Sequence, residues 1–220
     1  MDAQQIISII IFVVTMAAIM TEKVHRALAA VAGATLLLVC QILDVESLAS
    51  YIDFNTVGIL IGMMLFVSVV KISGLFEYIA IKAAKLSKGK PWIIMILFFI
   101  ITAVLSAFLD NVTTVLLVGP MTIAVTEMLG LNPVPFLITQ ILASNIGGTA
   151  TLIGDPPNIM IGSAAGLSFN DFIVNTGVPA VIIGILTILC FYFIYGRKLH
   201  VTPEKMAAVM ELDENKAIKD

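Results

Sequence analysis

One stretch decides how this chain folds: Asn145-Ile146-Gly147-Gly148-Thr149-Ala150-Thr151-Leu152-Ile153-Gly154-Asp155-Pro156-Pro157-Asn158. It places a carboxylate and several helix breakers between apolar runs that are long enough to lie in a bilayer. A charge or an unwound backbone at that depth costs several kcal/mol unless it lines a polar cavity or meets a partner. The stretch therefore predicts a polar site inside a membrane.

A second polar interruption lies upstream: Leu109-Asp110-Asn111-Val112-Thr113-Thr114. Apolar runs flank it in the same way. Ionisable groups inside a membrane generally mark ion or substrate pathways, because they are too costly to keep without a function. The two interruptions together predict a protein that moves an ion or a small solute.

The composition excludes a water-soluble domain. The 220 residues are 60% hydrophobic and 12% charged, with a mean hydropathy of +1.07, which predicts an all-α integral membrane protein. The first apolar run lacks a small-residue cleavage site, so we expect it to be retained as a span. Cys40 and Cys190 stand singly, without metal-ligand or disulfide spacing. We expect no cofactor beyond a coupling ion, Na⁺ or H⁺.

Four plain spans follow from the apolar runs: Ile6–Met20, Ala27–Leu43, Thr56–Val70 and Phe172–Tyr195. Each is near the length that a hydrocarbon core requires. In residues 74–90, apolar side chains recur at helical spacing against a lysine face, which predicts a helix lying in the membrane surface. Its apolar face consists of Leu75, Phe76, Ile79, Ala83 and Leu86.

The basic residues predict the orientation. All 12 fall on one side of the membrane under this assignment, while the loops 44–55 and 166–171 carry acids and no base. The positive-inside rule makes the basic side cytoplasmic. We therefore expect a multi-pass protein of the cell membrane with its N-terminus outside and its tail inside.

Residues 91–166 must then cross the membrane an odd number of times. Either three helical pieces all cross, or the first two form a re-entrant hairpin whose tip lies within the membrane at Asp110. Parity does not separate these schemes, and an external loop position for Asp110 stays open. The tip lacks the Gly, Pro or aromatic residue usual in external turns, which favours the hairpin. Asp110 or Asn111 is a good N-cap for the helix that starts near Val112.

The third piece is predicted to be one helix interrupted halfway. Its first half runs from Pro133 to about Ile146, and Gly147-Gly148 weakens it. Residues 149–154 are irregular, and Asp155 with two following prolines begins the second half. Facing half-helix ends offer freed carbonyls and a positive dipole end, from which transporters build midplane sites. Two simpler interpretations stay open: the glycines only pack against a neighbouring helix, or Asp155 is only a cap.

The segments Ser106–Thr114 and Gly147–Asn158 resemble those of the ion transporter superfamily, with similarity over about residues 56–195. The branch most similar is that of the arsenite-efflux and pink-eyed-dilution (P protein) type permeases. In related dicarboxylate/sodium symporters the hairpin tip is Ser-Asn-Thr. The resemblance assigns that role to Asn111 with Thr113 or Thr114, and Asp110 is a departure that suits a proton-titrating site.

The resemblance also implies a second half. Members of the superfamily have two inverted repeats, each with one hairpin and one broken helix, and this chain supplies one. We expect the N-terminal half of a permease that pairs with a C-terminal repeat and forms a homo-oligomer in the lipid bilayer. The expected parts are a transporter repeat over 1–199 and a polar cytoplasmic tail or linker over 200–220. The repeat comprises scaffold spans (6–70), a surface helix (74–90), a hairpin (91–130), a broken helix (133–166) and a last span (172–195).

The expected function is secondary active transport of a small inorganic ion or hydroxylated solute such as arsenite, or of Na⁺, driven by an ion or proton gradient. An organic-anion or dicarboxylate transporter is the alternative, as is a fragment inert without its partner. Asp110 and Asp155 are expected to couple transport to protons, because burial favours the neutral form of a carboxyl group. The candidate binding residues are Asp110, Asn111, Thr113, Thr114, Asn145, Gly147, Gly148, Thr149, Thr151, Asp155 and Asn158.

An enzyme is not expected. Intramembrane aspartyl proteases also need two aspartates, but they show Tyr-Asp and Gly-x-Gly-Asp. Here Leu109 precedes Asp110, and Leu152 stands where the first glycine belongs. A nucleic acid partner is not expected either.

Overall fold

Helices form all the regular secondary structure in residues 2–212, the part of the chain that the computed structural model describes. The chain divides into two compact units, Met1–Phe54 and Asn55–Asp220. Four helices among the described residues are long and apolar enough to cross a membrane. They cover Ala3–Met20, Phe54–Ile72, Asn111–Met128 and Phe169–Lys198. The expected all-α integral membrane fold is confirmed.

The first unit contains α1 (Ala3–Met20), α2 (Arg26–Val39), α3 (Val45–Leu48) and a 3₁₀ turn at Ala49–Tyr51. Helices α1 and α2 pack together, with Gly33 against the side chain of Thr15. The predicted span Ala27–Leu43 is too long. Helix α2 ends at Val39, because Gln41 takes a left-handed conformation with φ 55° and donates its N–H to Leu38 O.

The second unit carries the remaining helices, and the boundary falls at the first residue of α4. They are α4 (Phe54–Ile72), α5 (Leu75–Leu86), α6 (Pro91–Ser106), α7 (Asn111–Met128), α8 (Val134–Thr149), α9 (Pro156–Ala165), α10 (Phe169–Phe172), α11 (Val178–Ile194) and α12 (Pro203–Met210). A π-helical turn at Ile173–Gly177 joins α10 to α11, and a 3₁₀ turn at Gly196–Lys198 follows α11.

Three helices form the centre of this unit. Helix α8 packs against α6, α7 and α11. Helix α6 runs toward the hairpin tip, α7 runs back from it, and α8 runs parallel to α6. Their far ends share one apolar core, built around Ile94, Phe98, Val125 and Phe136. We call that end of the bundle the base of the hairpin.

The predicted surface helix forms as α5, and part of its predicted apolar face is buried: Phe76 and Ala83 are buried and Ile79 is half-buried. Leu75 and Leu86 are exposed, whereas Ala80, Ile81 and Ala84 are buried. The reason is that α5 packs on α6 and α7, which moves its buried face toward Ala80, Ile81 and Ala84.

The tail is not only a polar linker. Residues 203–210 form α12, which packs on α5 and α7. Val209 is fully buried in the apolar core at the base, and a Cβ on Gly89 would lie 2.7 Å from Met206 Cα. Because the segment is mostly polar, the burial of Val209 was not predicted from the sequence. Residues 213–220 of the predicted tail lie outside the described residues.

Candidate functional site

The hairpin tip is a short turn closed by an N-cap. Helix α6 ends at Ser106 and α7 begins at Asn111. The Asp110 carboxylate accepts a hydrogen bond from Thr113 N at 2.9 Å, so Asp110 is the cap that the sequence predicts. The capping bond also places this carboxylate at the positive end of the α7 dipole.

The broken helix is confirmed, but the glycine pair does not weaken it. Helix α8 continues through Gly147 and Gly148 to Thr149, residues 150–155 are irregular, and α9 begins at Pro156. Both glycines instead permit close approach. A Cβ on Gly147 would overlap the carbonyl of Ala103, and one on Gly148 would overlap the Asn111 side chain. The two positions therefore require glycine because a side chain would prevent the close approach, and not because the helix must break there.

The tip and the break meet each other. Ser106 Oγ donates to Ser144 O at 2.7 Å and contacts Asn111 Oδ1 at 2.6 Å. Asn111 Nδ2 donates to Asn145 Oδ1 at 3.4 Å. Across the break, Thr151 donates its hydroxyl to the carbonyl of Ala107. Three residues on α8 and the break thus hold the hairpin tip in place: Ser144, Asn145 and Thr151.

Asp155 occupies the N-cap position of α9, but its side chain makes no capping hydrogen bond. The predicted capping bond from the Asp155 side chain is therefore not found, although the residue stands at the N-cap position. Its Oδ2 lies 2.7 Å from where a Cβ on Gly148 would stand, beside Asn111, and within electrostatic range of Asp110. Both carboxylates are half-buried. Two acids at two helix N-termini share one amide neighbour, an arrangement that suits one proton or one small cation between them.

The carbonyls expected to be free at the break are largely occupied. Asn158 Nδ2 donates to Gly148 O at 3.1 Å and to Thr151 O at 2.9 Å. Thr176 Oγ1 donates to Ala150 O at 3.3 Å. Asn158 therefore holds the broken backbone in shape with its amide nitrogen.

Three of the four predicted threonine ligands lie in different places. Thr114 is fully buried beneath the tip. Thr113 faces a cavity of about 390 Å³ between α4 and α7, which Ser68 and Lys71 also line. Thr149 Oγ1 donates back to Asn145 O at 2.8 Å. The structure does not bring these side chains to one point.

Sequence reasoning missed two polar residues near the break. Asn175 and Thr176 lie in the π-helical turn and, with Asn145 and Thr149, line a cavity of about 290 Å³. A polar Asn-Thr pair inside the apolar last span was the available signal. π-helical turns are frequent at functional sites, so these residues join the candidate site.

Comparison with known proteins identifies the family. Residues 16–219 match the citrate transporter family. The chain belongs to this family. A 46 kDa membrane protein of Mycobacterium leprae is 42% identical over 98% of the chain, and an uncharacterized transporter of Mycobacterium tuberculosis is 41% identical over the same share. The P protein of Homo sapiens is 44% identical over 84% of the chain.

The chain spans only part of the length of the relatives it matches. It spans 51% of each mycobacterial relative and 23% of the human P protein. The expected similarity to the ion transporter superfamily and to P protein is confirmed. The arsenite-efflux branch stays a prediction.

Proposed function

We propose that this chain is half of a secondary active transporter and that the tip and the break bind its coupling ion. One observation carries the proposal: the Asp155 carboxylate, at the N-terminus of α9, interacts with Asp110, the N-cap of α7, and with the Asn111 side chain. Two half-buried acids that interact in this way repel when both are ionised, and a shared proton or monovalent cation relieves that repulsion.

The other half is a second, inverted repeat. The mycobacterial relatives are about twice as long as the stretch they share with this chain, which supports a partner of similar size. In this proposal the chain is the N-terminal repeat and the hairpin is re-entrant. Its tip contacts the middle of the broken helix rather than either end, which supports a tip at the depth of the break.

The transported solute has two candidates. Amide and hydroxyl groups around the break suit a small inorganic ion or a hydroxylated solute, such as Na⁺ or arsenous acid. The family description names citrate and supports a citrate-type organic anion as the second candidate. Lys71 lines the cavity beside Thr113 and supplies a positive charge that an anion requires. This base lies in the last turn of α4.

Reconstituted proteoliposomes test the proposal. The chain is assayed alone and with its proposed second half, using labelled citrate, arsenite and Na⁺ under an imposed pH gradient. We expect gradient-driven flux of one solute, and only when both halves are present. The proposal would be contradicted if the flux of all three solutes with both halves present equalled that in protein-free liposomes. It would also be contradicted if the flux did not depend on the pH gradient.

A further inference from the structure

A groove runs along one face of α7, between that helix and α4. Two adjoining cavities of about 390 Å³ and 270 Å³ form it, and Lys71, Leu116 and Leu117 line both of them. The lining residues recur at three- and four-residue spacing, from Thr113 to Ala124 on α7 and from Met64 to Lys71 on α4. That spacing marks a single face of each helix, so the two cavities are parts of one groove. We call it the α4–α7 groove.

The length and lining of the α4–α7 groove suit a lipid chain. Most lining residues are apolar, and the groove is open at the side, where Met64 is 62% and Leu116 is 65% exposed. The stretch of α7 from Thr113 to Ala124 is about 16 Å long. One leaflet of a bilayer contributes about 15 Å of hydrocarbon. An acyl chain therefore matches this groove better than a small polar solute does.

One end of the α4–α7 groove holds two opposite charges. Lys71 and Glu77 line the same cavity, in which Ala124 marks the side nearer the base of the hairpin. Glu77 Oε2 is buried and has no hydrogen-bond partner. Within residues 2–212, the Lys71 ammonium group forms no salt bridge with this carboxylate. Buried polar atoms are nearly always paired in folded proteins, so the two charges point to a ligand that meets both.

Helix ends do not remove this need for a partner. Lys71 lies in the last turn of α4 and Glu77 in the first turn of α5, and both positions favour the charge that they carry. Neither position gives Glu77 Oε2 a hydrogen bond. The same cavity contains Pro120, which has no N–H to donate to the carbonyl of Leu116. A ligand ammonium group has three donors, enough for the carboxylate and this carbonyl.

We propose that the α4–α7 groove binds one phospholipid with a primary-amine headgroup, as in phosphatidylethanolamine. Lys71 meets the phosphate, Glu77 meets the ammonium group, and an acyl chain lies along α7. A choline headgroup has no N–H to donate to Glu77, and an acidic headgroup leaves this carboxylate unpaired. The lipid site does not rest on the proposed function. It competes with a citrate-type anion for Lys71, and citrate is therefore one arm of the test.

Native mass spectrometry of the purified full chain in detergent tests the headgroup. The probe is an equimolar mixture of dioleoyl phosphatidylethanolamine and dioleoyl phosphatidylcholine. We expect wild type to retain one lipid per chain with about a tenfold preference for the ethanolamine lipid, because only its headgroup makes the charge-assisted hydrogen bond to Glu77. Glu77→Gln should bring the preference close to one, and Lys71→Met should lower the retention of both lipids. Lys90→Met, at an exposed lysine outside the groove, is the matched control and should behave like wild type.

The same measurement separates a lipid from a free solute. Glycerophosphoethanolamine carries the headgroup without acyl chains, and it should leave the lipid in place at equal concentration, as should citrate. Displacement by either compound overturns the lipid assignment. Equal retention of the two lipids by wild type, or a wild-type preference in Glu77→Gln, overturns it as well.

Photocrosslinking locates the bound lipid. A phosphatidylethanolamine with a diazirine in one acyl chain should crosslink mainly to the peptides that contain Val67 and Leu117. Crosslinks distributed equally over α1 and α11 would mean ordinary annular lipid and would overturn the site. The ion-coupling site is decided separately by the flux measurements, so failure of the lipid site and failure of the proposed function are distinguishable.

Discussion

At the residue scale, the glycine pair in α8 has two different roles. Gly147 meets backbone atoms of Ala103, which cannot move away without displacing α6. Gly148 meets side-chain atoms of Asn111 and Asp155, the groups of the candidate ion site. Gly147 thus allows the close packing of α8 on α6, whereas Gly148 leaves room for the side chains of the candidate ion site.

We predict that Gly148→Ala impairs transport more than folding. The new methyl group pushes Asn111 and Asp155 apart, and displacements of about 1 Å at positioned groups cost on the order of a hundredfold in rate. Flux and Tm measured together check this. Gly62→Ala in α4 is the control, because its Cβ meets nothing within 4 Å; it should gain about 0.5–1 kcal/mol of helix stability. Gly147→Ala should mainly lower Tm.

The two aspartates should also differ in their effect on stability. Asp110→Ala removes a real N-cap and is expected to cost about 0.5–2 kcal/mol of unfolding free energy. Asp155→Ala removes no capping bond and relieves repulsion, so stability should be unchanged or higher. Chemical denaturation of both variants compares them. A larger loss for Asp155→Ala would contradict the assignment of the cap to Asp110.

Sequence reasoning found the local features of the site and missed the tertiary ones. The Asp110 cap was predictable because capping involves residues only three positions apart. The inward position of Thr114, the anchoring role of Asn158 and the proximity of Asn175 depend on how separate helices pack. Nothing in the local sequence specifies those contacts.

At the element scale, the helix assignments held wherever a pattern acted locally. The break at residues 150–155 and the helix start at Pro156 follow from proline and N-cap geometry. The continuation of α8 through two glycines does not, because close packing against α6 outweighs their low helix propensity. Helix α12 was missed because one buried valine in a polar segment carries its docking.

We predict that α12 undocks when its anchor becomes charged. Val209→Asp places a carboxylate in the apolar core at the base, which is unfavourable without a partner. Limited trypsin digestion should then cleave faster at Lys205, within α12. Ala207→Asp, on an exposed residue of the same helix, should leave the cleavage rate unchanged. Equal rates for the two variants would contradict the docking.

At the scale of the whole molecule, orientation and the depth of the tip are the main untested predictions. Cysteine labelling checks both after Cys40 and Cys190 are replaced by serine. A membrane-impermeant maleimide added outside should label Glu46→Cys, and it should label Lys90→Cys only after permeabilisation. Val112 at the tip is 69% exposed in the structure, so Val112→Cys reports whether the tip is reached from outside. It should resist labelling from outside if the hairpin is re-entrant, whereas rapid labelling would favour three complete spans.

The central claim is that the hairpin tip and the helix break form one ion-coupling site. The most direct measurement is proton-driven flux in proteoliposomes that contain both halves of the transporter, comparing wild type with Asp110→Asn and Asp155→Asn. Asparagine is also a good N-cap, so Asp110→Asn removes the charge and keeps the α7 N-terminus. We predict that each variant is produced and folded like wild type and loses the dependence of flux on the pH gradient. Wild-type gradient dependence in both variants would contradict the claim.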